Sequence, residues 1–145
     1  MAAARRRIGW AAALLCPVLV AGACSSPTQL PNLTGTWKGT STDSSEGGQH
    51  IWTLTQSGNA VTGTATIIGS RTGFQATGPV NGTLTGQAFA FSFTLTFAAP
   101  FQFCTAFASG TLHVTNNTVL DGSYTGGNSC EGGPFTTGTV TLTKQ

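Results

Sequence analysis

The sequence predicts an all-β fold, an eight-stranded antiparallel up-and-down barrel. The clearest evidence is the segment 87–97, where five large apolar residues alternate with small or hydroxyl residues. They are Phe89, Phe91, Phe93, Leu95 and Phe97. A strand places successive side chains on opposite faces, so this pattern indicates one buried face and one solvent face. The composition agrees, because 20 glycines and a charged fraction of 7% favour strands and turns over helices.

The third observation is that alternating segments recur along the chain with short connections between them. They cover residues 33–41, 50–56, 60–68, 74–84, 87–97, 104–115, 118–125 and 135–143. Asn116-Asn117 is typical of a tight turn, because asparagine tolerates positive φ. Gly78-Pro79 indicates a bulge or kink in the fourth segment. Eight sequential antiparallel strands can close into a barrel without exposed edges, although a two-sheet β-sandwich fits the same alternation.

The first 23 residues have the three parts of a secretory signal peptide. Arg5-Arg6-Arg7 is basic, residues 8–20 are apolar, and the small residues Ala21-Gly22-Ala23 precede Cys24. The apolar run is too short to span a bilayer comfortably. Residues 20–24 resemble the lipobox of bacterial lipoproteins, although Ala21 stands where leucine is preferred.

The lipobox resemblance implies that Cys24 receives a diacylglyceryl group and becomes the acylated N-terminus. Residues 24–32 are then the lipidated cysteine and a flexible tether, and residues 33–145 are the barrel domain. The predicted location is the bacterial cell envelope, with the protein lipid-anchored to a membrane and facing the periplasm or the exterior. The alternative is an ordinary signal peptide cleaved near Ala23.

The charge of the exported domain excludes one class of partner. Three of the six Lys and Arg residues lie in the leader, so three cations and four acids remain, a net charge of −1. Binding to nucleic acid by neutralising phosphates needs a basic surface. We therefore expect no nucleic-acid partner.

Gly35-Thr36-Trp37, near the start of the first segment, resembles the Gly-x-Trp signature of the lipocalin and avidin (calycin) superfamily. The resemblance implies an eight-stranded barrel in which the tryptophan plugs one end. Biotin binding of the avidin type needs further tryptophans late in the chain, and none follows Trp52. The arginine that packs on the plug in lipocalins has no clear counterpart, since Lys144 is the only late cation.

Cys104 and Cys130 are the two cysteines that remain in the exported domain after Cys24. Outside the cytoplasm such a pair is expected to form a disulfide. Closing this loop would contribute about 3–4 kcal/mol in the chain-entropy model. A metal or redox pair would need close Cys-x-x-Cys spacing and nearby histidines, which are missing here.

Residues for catalysis are sparse, and we predict no enzyme, no catalytic residue, no metal site and no cofactor. His50 and His113 are predicted to lie separately at the surface. The four acids of the domain fall in predicted loops or on outward positions, so no buried carboxylate is expected. These acids are Asp43, Glu46, Asp121 and Glu131.

Aromatic side chains are the candidates for ligand binding. Those predicted to point inward and bind are Trp37, Trp52, Phe89, Phe91, Phe93 and Tyr124. The same rings could simply fill the core. The leading hypothesis is a lipid-anchored envelope protein whose barrel binds a small apolar ligand. The alternative is a protein-interaction module with a filled core, such as a protease inhibitor or a structural envelope protein.

Overall fold

Residues 29–44, 47–129 and 134–145 are described by a computed structural model. This part of the chain forms eight β-strands and contains no helix. The strands are β1 (Gly35–Asp43), β2 (Gly48–Ser57), β3 (Ala60–Gly69), β4 (Gln75–Thr85), β5 (Ala88–Phe97), β6 (Thr105–Thr115), β7 (Val119–Asn128) and β8 (Pro134–Lys144). The all-β prediction is confirmed, and every predicted strand overlaps an observed one.

The strands pair in sequence order, each antiparallel to the next, and β8 returns to β1 to close the barrel. The closing ladder runs from Trp37 opposite Lys144 to Asp43 opposite Gly138. The predicted up-and-down barrel is therefore confirmed, and the β-sandwich alternative is wrong. Closure pairs the backbone groups that two edge strands would leave open.

The register of β4 is regular on both sides of Gly78-Pro79. Thr77 pairs with Thr96 and Val80 pairs with Phe93, so no residue is inserted and the bulge half of the predicted bulge or kink is wrong, although the pairing of β4 with β5 skips Gly78 and Pro79. A Cβ atom at Gly78 would collide with the backbone of β5 at the Thr94 carbonyl. The glycine thus lets two strands approach each other closely. The irregular pairing lies instead between β7 and β8, near Tyr124.

The two ends of the barrel differ in their connections. At one end β2–β3, β4–β5 and β6–β7 are joined by tight turns at residues 58–59, 86–87 and 116–118. Asn116 and Asn117 have positive φ values of 51° and 59°, which matches the predicted turn. At the other end longer segments, residues 70–74 and 98–104, join β3 to β4 and β5 to β6. We call these the closed end and the open end.

Alternate residues of the strands converge on one apolar core, as the sequence predicts. The bulkiest fully buried side chains are Trp37, Trp52 and Phe89, followed by leucines from several strands. Burying each of these large side chains stabilises the fold by about 1.5–3 kcal/mol. At the inward position Gly63, a Cβ atom would collide with the Thr53 carbonyl. The space beside that glycine is therefore taken up by the neighbouring strand.

Candidate functional site

The closed end is sealed by Trp37. Its indole Nε1–H donates a hydrogen bond of 2.8 Å to the carbonyl of Leu33, and both residues are fully buried. The Lys144 ammonium lies 5.5 Å from the centroid of the Trp37 ring and donates to the Asn32 carbonyl at 2.6 Å. The sequence shows no clear counterpart of an arginine on this tryptophan, but β8 pairs with β1 and brings Lys144, the only late cation, over the ring.

Above this plug an aromatic layer fills the middle of the barrel. The Trp52 ring meets Phe91 at 5.1 Å and Phe93 at 6.1 Å between centroids, both edge-on. Phe91 in turn lies 6.1 Å from Phe89 and 5.9 Å from Phe93. Edge-to-face and tilted pairs at these separations are the favoured geometry for aromatic rings. The layer is well packed and forms the floor of the space above it.

Above that floor, a cavity of about 380 Å³ opens at the open end. Known ligand pockets occupy about 300–1,000 Å³ and are mostly apolar with a few polar groups. One wall, contributed by β3 to β6, is apolar. It includes Ile67, Phe74, Ala76, Leu95, Phe97 and Ala106. The opposite wall, from β1, β2 and β7, carries the polar side chains Ser41, Asp43, His50, Tyr124 and Asn128.

The six predicted ligand residues separate into two groups. Phe93 and Tyr124 line the cavity. The other four, Trp37, Trp52, Phe89 and Phe91, are buried within the hydrophobic core below it. The two interpretations of the aromatic residues thus apply at different levels of the same barrel: the lower rings fill the core, and the upper ones line the cavity.

A chain of hydrogen bonds runs through the polar wall. Trp52 Nε1–H donates to His50 Nδ1 at 3.1 Å, and His50 Nε2 lies 2.8 Å from Ser41 Oγ. Ser41 is also hydrogen-bonded to Tyr124. The Tyr124 hydroxyl donates to Asp43 Oδ2 at 2.7 Å. The chain therefore ends on a carboxylate, which also accepts the backbone N–H of Gly47 at 3.2 Å.

The direction of each bond follows from Trp52, because an indole can only donate. His50 Nδ1 must accept, so in the neutral ring Nε2 carries the hydrogen and donates to Ser41. Burial lowers the pKa of His50 to about 4, partly opposed by the charge of Asp43. The ring is therefore neutral at physiological pH. Burial also raises the pKa of Tyr124 well above its usual value, so this hydroxyl keeps its proton.

Ser41 and His50 are close enough to suggest a nucleophile and its base, but the proton is on the wrong nitrogen. A general base must accept the serine hydrogen at the nitrogen that faces it. Here that nitrogen already donates to Ser41, and Trp52 holds the other as an acceptor. The pair is arranged as a structural hydrogen bond.

Two residues of this wall lie elsewhere than the sequence predicts. His50 is only 2% exposed, so its predicted surface position is wrong. It has the same parity as the inward residues Trp52 and Leu54, a signal that was present in the sequence. Asp43 is predicted to lie in a loop, whereas β1 continues to Asp43 and directs it to the inward side with Trp37. His113 and Asp121 are exposed, as expected.

Several predicted residues lie outside the described ranges, namely Cys24, Glu46, Cys130 and Glu131. Cys104 is buried and lines the cavity. Its disulfide with Cys130 stays a prediction, as does the lipidation of Cys24. Within the described ranges, no group of three or more His, Cys, Asp or Glu residues could hold a metal ion. Those ranges also contain no helix that is long and apolar enough to cross a membrane.

Comparison with known proteins gives a fold and no family. No protein-family model matches the sequence. No curated protein matches it either. A solved structure of a redesigned β-barrel superposes with a TM-score of 0.54 at 19% sequence identity, covering 82% of this chain and 99% of that one. At this identity the similarity establishes the barrel architecture alone.

Proposed function

We propose that this protein is a lipid-anchored component of the bacterial cell envelope whose barrel binds a small, largely apolar molecule. The observation that carries the proposal is the cavity of about 380 Å³ at the open end. Its apolar wall provides the area that drives binding of an apolar body, at roughly 25 cal/mol per Å² buried. Its floor, built on Trp52 and Phe93, is rigidly packed, so the shape of the cavity needs little ordering on binding.

The anchor is supported by the leader, whose small residues precede Cys24. Each buried methylene of an acyl chain contributes about 0.8 kcal/mol, and two or more chains hold a protein stably on a membrane. Leu30 packs against the core, and β1 starts at the closed end. The chain from Cys24 therefore joins the barrel at the end opposite the cavity.

Titration with Nile red, a neutral apolar dye, tests the ligand half of the proposal. The protein beginning at residue 24 and carrying Cys24→Ser avoids competition from acyl chains and micelles. We expect saturable binding with quenching of Trp52 fluorescence. Ala106→Phe should fill the cavity and weaken binding at least tenfold. The control Ala90→Phe makes the same change on the exposed face of β5 and should bind like the parent. Absence of saturable binding would contradict the proposal.

Mass spectrometry of the exported protein tests the anchor. We expect the mature chain to start at Cys24 and to carry acyl mass on that residue. Cys24→Ser should move the protein from the membrane fraction to the soluble fraction. An unmodified chain cleaved near Ala23 would support the ordinary signal peptide instead.

A second function, docking of a protein partner, is favoured by one observation. Phe101, Phe103 and Phe107 are 51%, 89% and 54% exposed and lie on or beside the segment that joins β5 to β6. Such a cluster is typical of an interaction surface for an apolar partner. If it binds an envelope protein, Phe103→Ser should abolish a specific cross-link in intact cells and leave Nile red binding unchanged. If the parent protein and Phe103→Ser give the same cross-link, the docking function is contradicted.

A further inference from the structure

A ligand in the cavity would meet mainly aromatic surface. Two of the apolar lining residues, Ala76 and Leu95, are 1% and 0% exposed and lie behind other side chains. The hydrocarbon side chains that keep accessible surface are Ile67, Phe74, Phe93, Phe97, Phe101 and Ala106. Four of these six are phenylalanines, so the surface available to a ligand consists largely of rings.

These rings are spread from the floor of the cavity to its mouth. Phe93 belongs to the floor, and Phe97 follows it along β5 toward the open end. The Phe74 ring lies 5.0 Å from the Phe97 ring between centroids, tilted by 47°. Phe101 stands in the segment beyond β5. A ring that enters the cavity can therefore pair with another ring at each depth, and aromatic pairs are favoured beyond the area that they bury.

The polar wall, in contrast, is already bonded within the protein. Its chain runs from Trp52 through His50 to Ser41, and Tyr124 donates to Asp43. Throughout the described ranges, every buried side-chain nitrogen or oxygen has a hydrogen-bond partner. The polar lining residues of the segment 70–74 also make interactions within the chain.

A charged head group would gain little from such a wall. It would exchange its water for groups that already make bonds of their own, and a charge that leaves water without compensation is strongly disfavoured. The wall therefore favours a ligand that brings no charge to this depth.

We infer that the cavity takes an uncharged, planar aromatic molecule, whose ring lies against Phe93 and Phe97. This inference rests on the proposed ligand-binding function and narrows it from apolar molecules in general to one chemical class. A saturated ring system buries a similar area but forms no ring pairs. A charged aromatic molecule forms the pairs but loses its hydration.

Two alcohols with the same carbon skeleton test the aromatic requirement by displacing Nile red at neutral pH. They are 2-naphthol, which is planar and aromatic, and its saturated counterpart decahydro-2-naphthol. We expect 2-naphthol to bind about fivefold more tightly, because only its rings pair with those of the cavity. Equal binding of the two alcohols, or tighter binding of the saturated one, would overturn the inference.

Two further probes test the charge. 2-Naphthoate and 2-naphthylmethylamine keep the ring system and carry an anionic and a cationic head. We expect each to bind at least about tenfold more weakly than 2-naphthol, because each head loses hydration in the cavity. If either charged probe matches 2-naphthol, the ligand class is wrong and the inference is overturned.

A double variant, Phe74→Leu with Phe97→Leu, removes two rings from the cavity and keeps apolar side chains in their place. The preference for 2-naphthol over the saturated alcohol should fall about threefold, while the saturated alcohol binds as it does to the parent. The matched control is Phe103→Leu with Phe107→Leu, at two exposed positions that do not line the cavity. It should keep the full preference. The same preference in both double variants would show that the cavity rings do not select the ligand and would overturn the inference.

The results separate this inference from the function on which it rests. If Nile red does not bind, the ligand-binding proposal fails and the inference fails with it. If Nile red binds and the saturated alcohol displaces it as well as 2-naphthol does, only the inference is overturned. A preference for 2-naphthol that needs the rings of the cavity and not the exposed ones supports both.

Discussion

The closed and open ends of this barrel are built from the same eight strands, yet their inner positions are used in opposite ways. Toward the closed end the inward residues are large, the turns are tight, and Trp37 is held by Leu33 and Lys144. Toward the open end several inward residues are small or polar, as at Ala76, Ala106 and Ser41, and a cavity is left.

This difference teaches how a small barrel combines stability with binding. An eight-stranded barrel has an interior that side chains just fill or that holds one small ligand. Here each end takes one of these options. The packed end supplies the stability that lets the other end keep an unfilled space, which would otherwise weaken the fold through lost contacts.

The largest expected effect is on stability, and it compares one aromatic residue from each end. Trp37→Ala should lower the free energy of unfolding by about 3–5 kcal/mol, because it leaves a cavity in the packed end. Phe97→Ala, in the cavity wall where the ring is already partly exposed, should lower it by no more than about 1.5 kcal/mol. Urea denaturation of both variants measures the difference. Equal losses would show that the open end is part of the same packed core.

The dependence of stability on pH should come from the boundary between the two ends, at His50. Its pKa is about 4 in the folded protein and about 6.5 when unfolded, so the unfolded chain binds the proton first as the pH falls. The neutral, buried His50 therefore contributes its full share of the free energy of unfolding above pH 6.5. This contribution falls as the pH decreases toward 4, by about 3 kcal/mol in total. Urea denaturation between pH 4.5 and 7.5 follows this loss.

Two histidine variants sharpen this second test. His50→Gln keeps one acceptor and one donor in the polar wall but cannot titrate. The slope of the free energy of unfolding against pH should therefore become shallower between pH 6.5 and 4.5. His113→Gln alters the exposed histidine of β6 and should leave the slope as it is. If the slope of His50→Gln equals that of the parent protein, the buried ring is not the source of the pH dependence.

The same boundary marks how far the sequence could predict the structure. Alternation alone identifies the strands and most inward residues, because a pleated strand repeats every two residues. The same alternation also predicts inward positions for His50 and Asp43. This requires that β1 is extended two residues beyond Ser41 and that the alternation is applied to polar side chains as well. Those two positions were missed because charged residues are seldom inward.

Other features of the site have no local signal in the sequence. The contact of Asp43 with Tyr124 joins β1 to β7, residues 81 positions apart, and exists only because the barrel closes. Likewise, the volume of the cavity is a sum over small side chains from several strands, among them Ala76 and Ala106. The residue pattern of a single strand therefore cannot predict the cavity volume.

The smallest expected effect belongs to Lys144, the cation over the plug of the closed end. Lys144→Met keeps most of the apolar stem over Trp37 but removes the charge and the donor to Asn32. An exposed cation–π contact is worth about 0.5–1 kcal/mol, and we expect a loss of stability in that range. Lys38→Met removes an exposed lysine of β1 and serves as the control, with a change within about 0.5 kcal/mol.

Lys144→Arg then tests whether a planar cation serves this position as well as lysine does. A planar guanidinium stacks on an aromatic face and can still donate to Asn32, so stability should be retained or slightly raised. If Lys144→Met behaves like Lys38→Met in urea denaturation, the contact contributes nothing measurable. The closed end would then depend on the burial of Trp37 and Leu33 alone, and the contrast with the open end would be one of packing without an electrostatic component.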